Sequence, residues 1–491
     1  MEPDGALPLP PVSPHTIGPN MIGPETRNAT APFIRPATEG DVLAVEALIR
    51  EAGDVFGFVR RVVLAQASAT GGLLVAQSPD GGVVGAVRFH HRRDKFTTIH
   101  DIVVSRAGRR QGVGRLLVQA VHDAALSREQ QAVRAKCPVD ALANGFYRAT
   151  GWERTGIEEG KSRSLAVWQL PVRAPVRQRV RPTFYLSLTG EAGGIRGIQE
   201  RWDRDGAAVG RTDPFAHVTF TPVFMNDRAV DTVRALHETR GTVAMADSGA
   251  YQVQMGRGRH SELLEKLVDL YPRLTWVDRF VLPDHVPHSS DSPSVVEEKV
   301  EESIRGAADL LRRLPEEFAL RMIGVVHGRT LEQIGRCVRA YHQMGVRSIA
   351  FGSFGTSGRM LSVNQVSAQS IRLLHGAQDM ARVRGMSVHV LGIGSPRYLG
   401  ALRAADVWPD SFDSAGWWKA GAFGNIFFPD SKQLLITMME GITATPAGAA
   451  MLRDKSGHQC TYCADIEPLR RDRMGRILHN LAAMIDMVKS I

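Results

Sequence analysis

The sequence predicts an α/β fold in two parts, a mixed α/β domain followed by a (β/α)8, or TIM, barrel with a metal-binding subdomain. Three observations carry this prediction. Between residues 33 and 172, strand-like and helix-like segments surround a glycine-rich turn. After residue 182, eight short apolar segments follow one another, most of them separated by stretches of helical periodicity. Near the C-terminus, two cysteines and two histidines have the spacing of a closed metal site.

The composition is that of a globular protein with a mild basic excess. Hydrophobic residues make up 43% of the 491 residues, and 60 Lys and Arg against 51 Asp and Glu give a formal net charge of +9. This charge permits a nucleic-acid partner without requiring one. No apolar run approaches the roughly 20 residues that span a bilayer, and four cysteines are too few for a disulfide framework. We therefore expect a cytoplasmic protein without a membrane partner.

Two segments fall outside the predicted domains. Residues 1–32 carry acid and proline where a signal peptide needs basic and then apolar residues, so we interpret them as a disordered lead-in. Residues 173–181, RAPVRQRVR, hold four arginines between the domains predicted at 33–172 and 182–491. This basic linker is either a solvated connection or a strap that contacts phosphates, and the sequence leaves both open.

The first domain is expected to begin with a strand and turn in FIRPAT and a helix in DVLAVEALIREAG. A hairpin closed by Asp-Gly-Gly follows in GLLVAQSPDGGVVGAVRFHH. Residues 97–104 then form a strand that runs through SRAGRRQGVG into the helix RLLVQAVHDAAL. A glycine-rich turn between a strand and a helix leaves backbone N–H groups at the helix mouth, which makes it an anion site.

This turn resembles the R-x-x-G-x-G/A turn of the GNAT N-acetyltransferase family. The matching residues are Arg109, Gln111, Gly112 and Gly114. Downstream, ANGFYRATGWERTG is similar to the closing motif of the same family. The resemblance implies acetyl-CoA as cofactor, with Asn144 near its pantetheine arm and Tyr147 protonating the leaving thiolate. No general base is evident, so a binding or packing role of this fold stays an alternative.

The second domain carries its polar residues at the ends of its predicted strands. The strands are FYLSL, HVTFTPVF, GTVAMA, WVDRFVL, RMIGVV, RSIAFG, SVHVLGIG and the piece around DSFDS, with helices such as SVVEEKVEESIRGAADLLRRL and TLEQIGRCVRAYHQMG between them. In (β/α)8 barrels the chemistry collects at the carboxyl ends of the strands. Three aspartates stand there, namely Asp247, Asp284 and Asp413. A barrel without catalytic function would not need them.

These segments resemble the tRNA-guanine transglycosylase superfamily, which includes DNA-guanine transglycosylases of bacterial and phage modification systems. MADSGAYQ is similar to the DSGG-[FY]-Q motif, VLPD to the strand ending in the base-recognition aspartate, and MIGVVHG to G-x-V-Q-G. SIAFGSFG, LGIGSPRYL and DSFDS are similar to the next glycine segment, the M-G-[VI]-G-x-P turn and D-x-F-D. The motifs follow the family order over residues 182–491.

The resemblance implies exchange of a guanine in a nucleic acid for a 7-deazaguanine, such as the 7-cyano or 7-aminomethyl base. Exchange at a glycosidic bond needs one carboxyl group that attacks the anomeric carbon and another that protonates the departing base. By the match, Asp413 is the nucleophile and Asp247 the acid and base, while Asp284 accepts hydrogen bonds from the guanine N1–H and amino group. The predicted base site is completed by His327, Gly328, Gly352 and Tyr251.

Structural alternatives exist for several of these residues. Asp247 before Ser-Gly also suits an ordinary turn, and Asp284 suits a helix N-cap. Tyr251 either stacks on the base or packs in the fold. Gly352 is expected because the backbone must approach the base closely.

A zinc cluster is the second feature that the resemblance implies. The group His-x-Cys-x-x-Cys, followed by a histidine in LHNL, is similar to the family's C-x-C-x-x-C…H cluster with the first Cys replaced. The predicted ligands are His458, Cys460, Cys463 and His479. Two thiolates and two imidazoles suit a closed, structural zinc site. The alternative is that Cys460 and Cys463 are two unpaired surface cysteines. The other two cysteines, Cys137 and Cys337, are expected in the core.

Three departures from the tRNA enzymes favour the DNA-directed branch. Ala250 stands where those enzymes carry a second glycine, His327 replaces a glutamine, and SAGWWKAGAFGN after Asp413 lacks their C-V-x-P-T-R run. A DNA substrate would need its guanine flipped out of the duplex. A tRNA enzyme of the queuosine or archaeosine type and a catalytically silent nucleic-acid-binding protein are the alternatives.

The role of the acetyltransferase domain is left open by the sequence. It would acylate an amine on the deazaguanine, acetylate a protein, or position DNA as a binding module. The superfamily often forms dimers through its zinc region, so a homodimer is possible in principle, and nothing in the sequence decides it.

Overall fold

The structure is a computed structural model that describes residues 32–53, 59–128, 130–160, 163–172, 181–205, 211–352, 356–357, 362–363, 367–394, 396–437 and 445–489. Except for residues 32 and 181, the predicted lead-in and basic linker lie outside this part of the chain. The chain divides into two compact units, residues 1–90 with 99–119 and residues 91–98 with 120–491. The domain boundaries expected from the sequence stay a prediction.

The N-terminal strands belong to one sheet. They are β1 Phe33–Pro36, β2 Leu73–Gln77, β3 Val83–His91, β4 Phe96–Val104, β5 Ala132–Pro138, β6 Glu153–Glu159 and β7 Ser164–Pro171, in the sheet order β1-β2-β3-β4-β5-β7-β6. The helices among them are α1 Val42–Glu51, α2 Arg61–Ala69, α3 Val113–Ser127 and α4 Ala143–Ala149. The predicted hairpin is present: β2 and β3 pair antiparallel, and Gly81 in their turn takes a φ of 90°, which favours glycine.

The strands after residue 181 include a closed barrel. They are β8 Thr183–Leu188, β9 His217–Phe220, β10 Val243–Ala246, β11 Arg279–Val281, β12 Met322–Val326, β13 Ser348–Phe351, β14 Thr356–Ser357, β15 Ser362–Val363, β16 Ser387–Val390, β17 Ser411–Ser414, β18 Asn425–Ile426 and β19 Leu434–Leu435. The barrel order is β10-β11-β12-β13-β16-β17-β8-β9, and every neighbouring pair is parallel. Each of the eight segments expected to be a strand contributes one of them.

Helices alternate with the barrel strands and continue beyond them. They are α5 Ala192–Arg204, α6 Asp227–Arg240, α7 Ala250–Gln254, α8 His260–Leu270, α9 Pro293–Arg313, α10 Leu331–Gln343, α11 Ala368–Arg382, α12 Pro396–Ala404, α13 Gly416–Ala422, α14 Pro446–Ser456 and α15 Arg473–Lys489. Within the described residues, no helix has the length and hydropathy that a membrane span requires.

Side-chain caps fix where the two helices after the base-site strands begin. The Ser292 hydroxyl accepts a hydrogen bond from the Val295 N–H at the start of α9, whose first residue is Pro293. Thr330 and Gln333 form a capping box at the start of α10. Since both helices begin at defined residues, the loops that follow β11 and β12 have fixed lengths.

The interior of the barrel is apolar below its carboxyl ends. Met245, Val281, Ile323, Val325 and Ala350 form a buried cluster contributed by four adjacent strands. Strand side chains alternate between the two faces of a sheet, and the other face packs against the helices. Polar side chains lie on either side of this cluster: Arg279, Ser348 and Ser387 are joined by hydrogen bonds at the amino end of the barrel, and the aspartates lie at the mouth.

The chain after β17 covers the barrel through α13 and α15, which pack against each other. The buried side chain of Asn480, in α15, accepts a hydrogen bond from the Phe427 N–H at 3.0 Å. It donates to the carbonyls of Trp417 and Asn425 at 3.2 and 3.1 Å. This one amide therefore ties α15 to α13 and to β18.

Candidate active site

The three predicted aspartates lie at carboxyl ends of the barrel strands. Asp247 directly follows β10, and Asp284 follows β11 after two residues. Asp413 lies within β17, the last strand of the barrel along the chain. Parallel strands place these ends at one mouth. The negative charges of both Asp284 and Asp413 act on Asp247, so the three carboxyl groups share one electrostatic site.

Asp413 is buried and held from two sides. Its Oδ2 accepts a hydrogen bond from the Ser187 hydroxyl of β8 at 2.8 Å, and its Oδ1 accepts one from the Gly392 N–H, also at 2.8 Å. His389 of β16 places its Nε2 3.3 Å from the same Oδ1. Donors to both oxygens fix the orientation of the carboxylate, as an in-line attack by a nucleophile requires.

Asp247 lies in surroundings that disfavour the charged form of its carboxyl group. Burial, together with the charges of Asp284 and Asp413, raises its pKa to about 7. Two hydrogen bonds oppose this shift: the Thr221 hydroxyl donates to Oδ2 at 3.2 Å, and the Gly249 backbone N–H donates to the carboxyl group. A carboxyl group with a pKa near neutrality can both donate and accept a proton at physiological pH, as general acid–base catalysis requires.

Asp284 and His327 form a buried pair. The Asp284 Oδ2 lies 2.6 Å from His327 Nε2, and the two side chains are 6% and 1% exposed. A second, longer hydrogen bond of 3.5 Å comes from the Ser248 hydroxyl to Oδ1. His327 therefore contacts the predicted base-reading carboxylate directly.

Both predicted glycines of the base site occupy positions that exclude a side chain. A Cβ on Gly352 would lie 3.0 Å from Cε1 of His327. Gly328 has a φ of 151°, and a Cβ there would lie 2.6 Å from Cβ of Gln333. A larger residue at Gly352 would press on the imidazole of His327, and one at Gly328 would press on the start of α10.

Tyr251 lies in α7, four residues after Asp247, and is partly exposed. The Lys419 ammonium of α13 is 6.0 Å from the centre of its ring, at the outer limit of a cation–π contact. This lysine belongs to the segment SAGWWKAGAFGN after Asp413. It supplies a positive charge near a tyrosine of the mouth.

Among the described residues, sequence reasoning missed four side chains that contact the aspartates, namely Ser187, Thr221, Ser248 and His389. Each lies near the end of a barrel strand or within two residues after one. The period-two alternation of β8 places Ser187 on the same face as Tyr185, which borders the inner cluster. An inward-facing hydroxyl near a strand end was therefore a usable signal.

The predicted pyrophosphate turn has the expected local geometry. Residues 106–112 form turns between β4 and α3, a helix of 15 residues. Arg110 and Gly112 take left-handed φ values of 65° and 80°. The Arg109 guanidinium and the Gln111 amide donate to the carbonyls of Val104 and Ala107, at 3.4 and 2.9 Å. Residues 109–112 of the turn are exposed directly before α3, which is where an anion would approach the N-terminus of this helix.

Asn144 and Tyr147 lie in α4 and are engaged within the protein. The Asn144 amide donates to the carbonyls of Pro138 and Ala141, and its oxygen accepts from the Trp168 indole N–H at 2.8 Å. Tyr147 is buried, with its ring stacked on Trp168 at 5.8 Å between centroids. Both side chains thus hold α4 on the sheet, whatever part they take in catalysis.

The four predicted metal ligands converge. One ligand atom each from His458, Cys460, Cys463 and His479 lies within 4.8 Å of the others. The Cys460 sulfur is 3.4 Å from the Cys463 sulfur and 3.4 Å from Nδ1 of His479. The alternative of two unrelated surface cysteines is wrong, because Cys463 is buried and Cys460 is only partly exposed.

Hydrogen bonds orient both histidines for ligation. His479 Nε2 donates to the Phe427 carbonyl at 3.1 Å, which leaves the lone pair on Nδ1 facing Cys460. His458 Nδ1 contacts Asp486 at 2.8 Å, while its buried Nε2 has no hydrogen-bond partner among the described residues. A carbonyl and a carboxylate behind the two imidazoles are the usual outer partners of metal-bound histidines. The donor set therefore fits a tetrahedral metal ion.

Comparison with known proteins identifies the N-terminal part. Residues 69–154 match a family model described as "Acetyltransferase (GNAT) domain". No curated protein matches the sequence.

Solved structures similar to the chain include several acetyltransferases. Ard1 from Thermoplasma volcanium is 19% identical with a TM-score of 0.27, and the match covers 29% of this chain and 99% of that chain. A GCN5-related N-acetyltransferase from Kribbella flavida is 21% identical with a TM-score of 0.26, over 29% and 98% of the two chains. Rv2747 from Mycobacterium tuberculosis, in complex with CoA and NLQ, is 24% identical with a TM-score of 0.24, over 27% and 77%.

Similarities at this level carry no argument about activity, and the assignment rests on the family model. The chain contains a GNAT acetyltransferase domain, matched at residues 69–154, and a closed barrel of eight parallel strands.

Proposed function

We propose that the barrel is a TIM-type guanine transglycosylase, which exchanges a guanine in DNA for a 7-deazaguanine through a covalent intermediate on Asp413. The observation that carries this proposal is the contrast between two carboxyl groups at one mouth. Asp413 is held in one orientation by donors to both oxygens, whereas burial and neighbouring charges raise the pKa of Asp247 to about 7. Opposed environments of this kind assign a nucleophile and an acid–base.

The exchange runs through two displacements at the anomeric carbon. A carboxylate oxygen of Asp413 attacks C1′ of the target nucleotide, the bond from C1′ to N9 breaks, and the guanine leaves with a proton from Asp247. The incoming deazaguanine returns its N9 proton to Asp247, its N9 attacks C1′, and the ester to Asp413 breaks. Since Asp247 gives one proton and regains one, no water or oxidant is consumed.

Base recognition is assigned to the Asp284 side of the mouth. The carboxylate of Asp284 would accept hydrogen bonds from the N1–H and amino group of guanine, and the contact with His327 holds it in place. Because Gly352 and Gly328 carry no side chain, a planar base could lie against the imidazole of His327. Tyr251 would cover the other face of the base.

The GNAT domain is proposed to transfer an acetyl group to an amine on the deazaguanine. Acetyl-CoA supplies the activated acetyl group, and the turn that contains Arg109, Gln111, Gly112 and Gly114 would bind its pyrophosphate. Asn144 and Tyr147 are the proposed pantetheine and thiolate contacts. A 7-aminomethyl group is a suitable acceptor because its nitrogen is a nucleophile when unprotonated.

The cluster of His458, Cys460, Cys463 and His479 is proposed to hold a structural zinc ion. All four positions of a tetrahedral ion would be filled by protein, so zinc would not act on the substrate. Its effect would be to fix α15 against the loop at 458–463.

Exchange is tested by incubating the protein separately with duplex DNA and bulk tRNA, each with 7-cyano- and 7-aminomethyl-7-deazaguanine. The nucleic acid is digested and its nucleosides are identified by mass. We expect a deazaguanine 2′-deoxynucleoside with wild type and with Asp269→Asn, an exposed carboxylate of α8, and none with Asp413→Asn. A ribonucleoside product would make this a tRNA enzyme, and product from Asp413→Asn would refute the mechanism.

Acetyl transfer is tested with labelled acetyl-CoA and the modified DNA. Label in the deazaguanine nucleoside is the expected result, and it should disappear when the bulky Gly112→Val variant disrupts the turn. Label only in protein, or none at all, would reject the deazaguanine as the acceptor.

A further inference from the structure

A second group of metal-ligating side chains lies beside the barrel mouth. His260, His285 and Glu302 place one ligand atom each within 4.8 Å of one another. None of them belongs to the cluster near the C-terminus or to the three aspartates. They come from three elements: His260 is the first residue of α8, His285 follows Asp284 in the loop after β11, and Glu302 lies in α9.

The histidines are held in orientations that a metal ion can use. His260 Nε2 lies 3.1 Å from the backbone carbonyl of Asp284. Since a carbonyl only accepts, Nε2 carries the proton and the lone pair of the neutral ring lies on Nδ1. A backbone carbonyl behind a ligating imidazole is a common outer partner. The His260 and His285 rings stack with centroids 4.5 Å apart, which holds the two imidazoles side by side.

His285 and Glu302 are fixed together. His285 Nδ1 lies 2.5 Å from the Glu302 carboxylate, and the His285 backbone N–H donates to the Ser303 hydroxyl at 2.9 Å. The side chains of His285 and Glu302 are 33% and 34% exposed. The group is therefore anchored to the fold on one side and reached by solvent on the other.

We propose that His260, His285 and Glu302 bind a divalent transition-metal ion of the zinc class. Two imidazoles and one carboxylate are ligands that such ions accept, whereas calcium and magnesium prefer oxygen alone. Bonds of about 2.1 Å place tetrahedral ligand atoms about 3.4 Å apart, so side-chain rotations would bring the three ligand atoms, which lie within 4.8 Å of one another, onto one ion. Three protein ligands and a solvent-facing side leave a coordination position for an oxygen ligand, such as water or a phosphate.

The ion would tie α8 and α9 to the segment that carries Asp284. His260 contacts the carbonyl of Asp284, and His285 is the next residue. The site would thus hold the backbone at the proposed base-reading carboxylate. Binding of the ion itself does not depend on the exchange reaction.

The test is cobalt(II) binding to the metal-free full-length protein, followed by equilibrium dialysis and absorption. Cobalt bound by cysteine gives sulfur-to-metal charge transfer in the near ultraviolet, and cobalt bound by histidine and carboxylate does not. We expect wild type to bind two equivalents of cobalt, and we expect the charge-transfer absorption to account for only one of them. Glu302→Gln keeps a hydrogen-bond acceptor for His285 but loses the charge, and it should weaken the second equivalent by at least about 100-fold, beyond the loss of an outer partner.

The matched control is Glu298→Gln, an exposed carboxylate one turn earlier in α9, which should retain both equivalents. His285→Ala should behave as Glu302→Gln, and unchanged charge transfer in both variants would show that the fold is intact. The proposal is overturned if wild type binds no cobalt beyond that giving charge transfer, or if both variants keep the second equivalent. Absence of charge transfer would refute only the C-terminal cluster, because the loss in Glu302→Gln is still measurable.

Discussion

Asp247 shows how one side chain acquires its chemistry from its surroundings. It lies directly after β10, and the carboxylates of Asp284 and Asp413 raise its pKa together with burial. In the folded protein it binds a proton at pH values where the unfolded chain does not. Between about pH 4 and 7, folding therefore takes up a proton, and the free energy of unfolding falls as the pH rises.

Asp247→Asn should stabilise the protein more at pH 8 than at pH 5. The variant cannot ionise, and the pKa of about 7 makes the difference between the two gains about 3 kcal/mol, from roughly 1.4 kcal/mol per pH unit. Urea unfolding of both proteins at each pH measures it. An equal gain at pH 5 and 8 would mean that Asp247 has an ordinary pKa in the folded state.

Ser187 provides a second prediction at this scale. Its hydroxyl donates to Asp413 Oδ2, so Ser187→Ala should slow formation of the covalent intermediate about tenfold, the kinetic equivalent of one hydrogen bond to a charged group. The effect should appear in kcat and leave KM for the nucleic acid nearly unchanged, because Ser187 orients the nucleophile without touching substrate. A change confined to KM would contradict this role.

At the scale of the elements, β12 and α10 approach closely because of one glycine. A Cβ on Gly324 would overlap the ring of Tyr341. That ring is fully buried, and its hydroxyl donates to the Val325 carbonyl at 2.8 Å. The contact sets the distance between β12, the strand that precedes His327, and the helix that follows it.

Gly324→Ala should destabilise the protein by more than about 2 kcal/mol, because the close-packed ring has no room to move. Gly197→Ala is the control: it lies in α5, where a Cβ meets no atom within 4 Å, and alanine should stabilise that helix by up to about 1 kcal/mol. Denaturant midpoints of both variants provide the comparison. Similar values for the two would show that β12 and α10 adjust freely.

At the scale of the whole molecule, the C-terminal cluster joins segments that are distant in the chain. Three of its residues, His458, Cys460 and Cys463, lie in the loop after α14, whereas His479 lies in α15. The residue after His479, Asn480, donates a hydrogen bond to the carbonyl of Trp417 in α13. Loss of the proposed zinc ion would therefore loosen the packing of α13 and α15, the helices that follow the strand of Asp413.

Removing zinc with a chelator should lower the midpoint of thermal unfolding by more than about 5 °C, since the binding free energy of a structural ion is lost from the folded state. Adding zinc back should restore wild type but not Cys463→Ser. A calorimetric scan with parallel metal analysis measures both effects. A midpoint that is indifferent to the chelator would exclude a structural role.

Much of the fold was predictable from local patterns. The eight barrel strands, the N-terminal hairpin and helices such as α9 and α10 follow from apolar periodicity and turn residues, which depend only on neighbouring positions. The three aspartates were found because strand ends in a barrel face one mouth. Ser187 and His389 were missed: strand alternation could have indicated that they face inward, but their contact with Asp413 joins different strands and has no local signature.

The sequence by itself determined the order of strands and helices, the chemical groups at the strand ends, and the spacing of the Cys and His ligands. Only the tertiary structure decided that Asp284 contacts His327, that Asp247 titrates near neutrality, and that His260 and His285 meet Glu302. The reason is physical: backbone periodicity is set by adjacent residues, whereas electrostatic shifts and ligand geometry depend on distances between side chains that lie far apart in the chain.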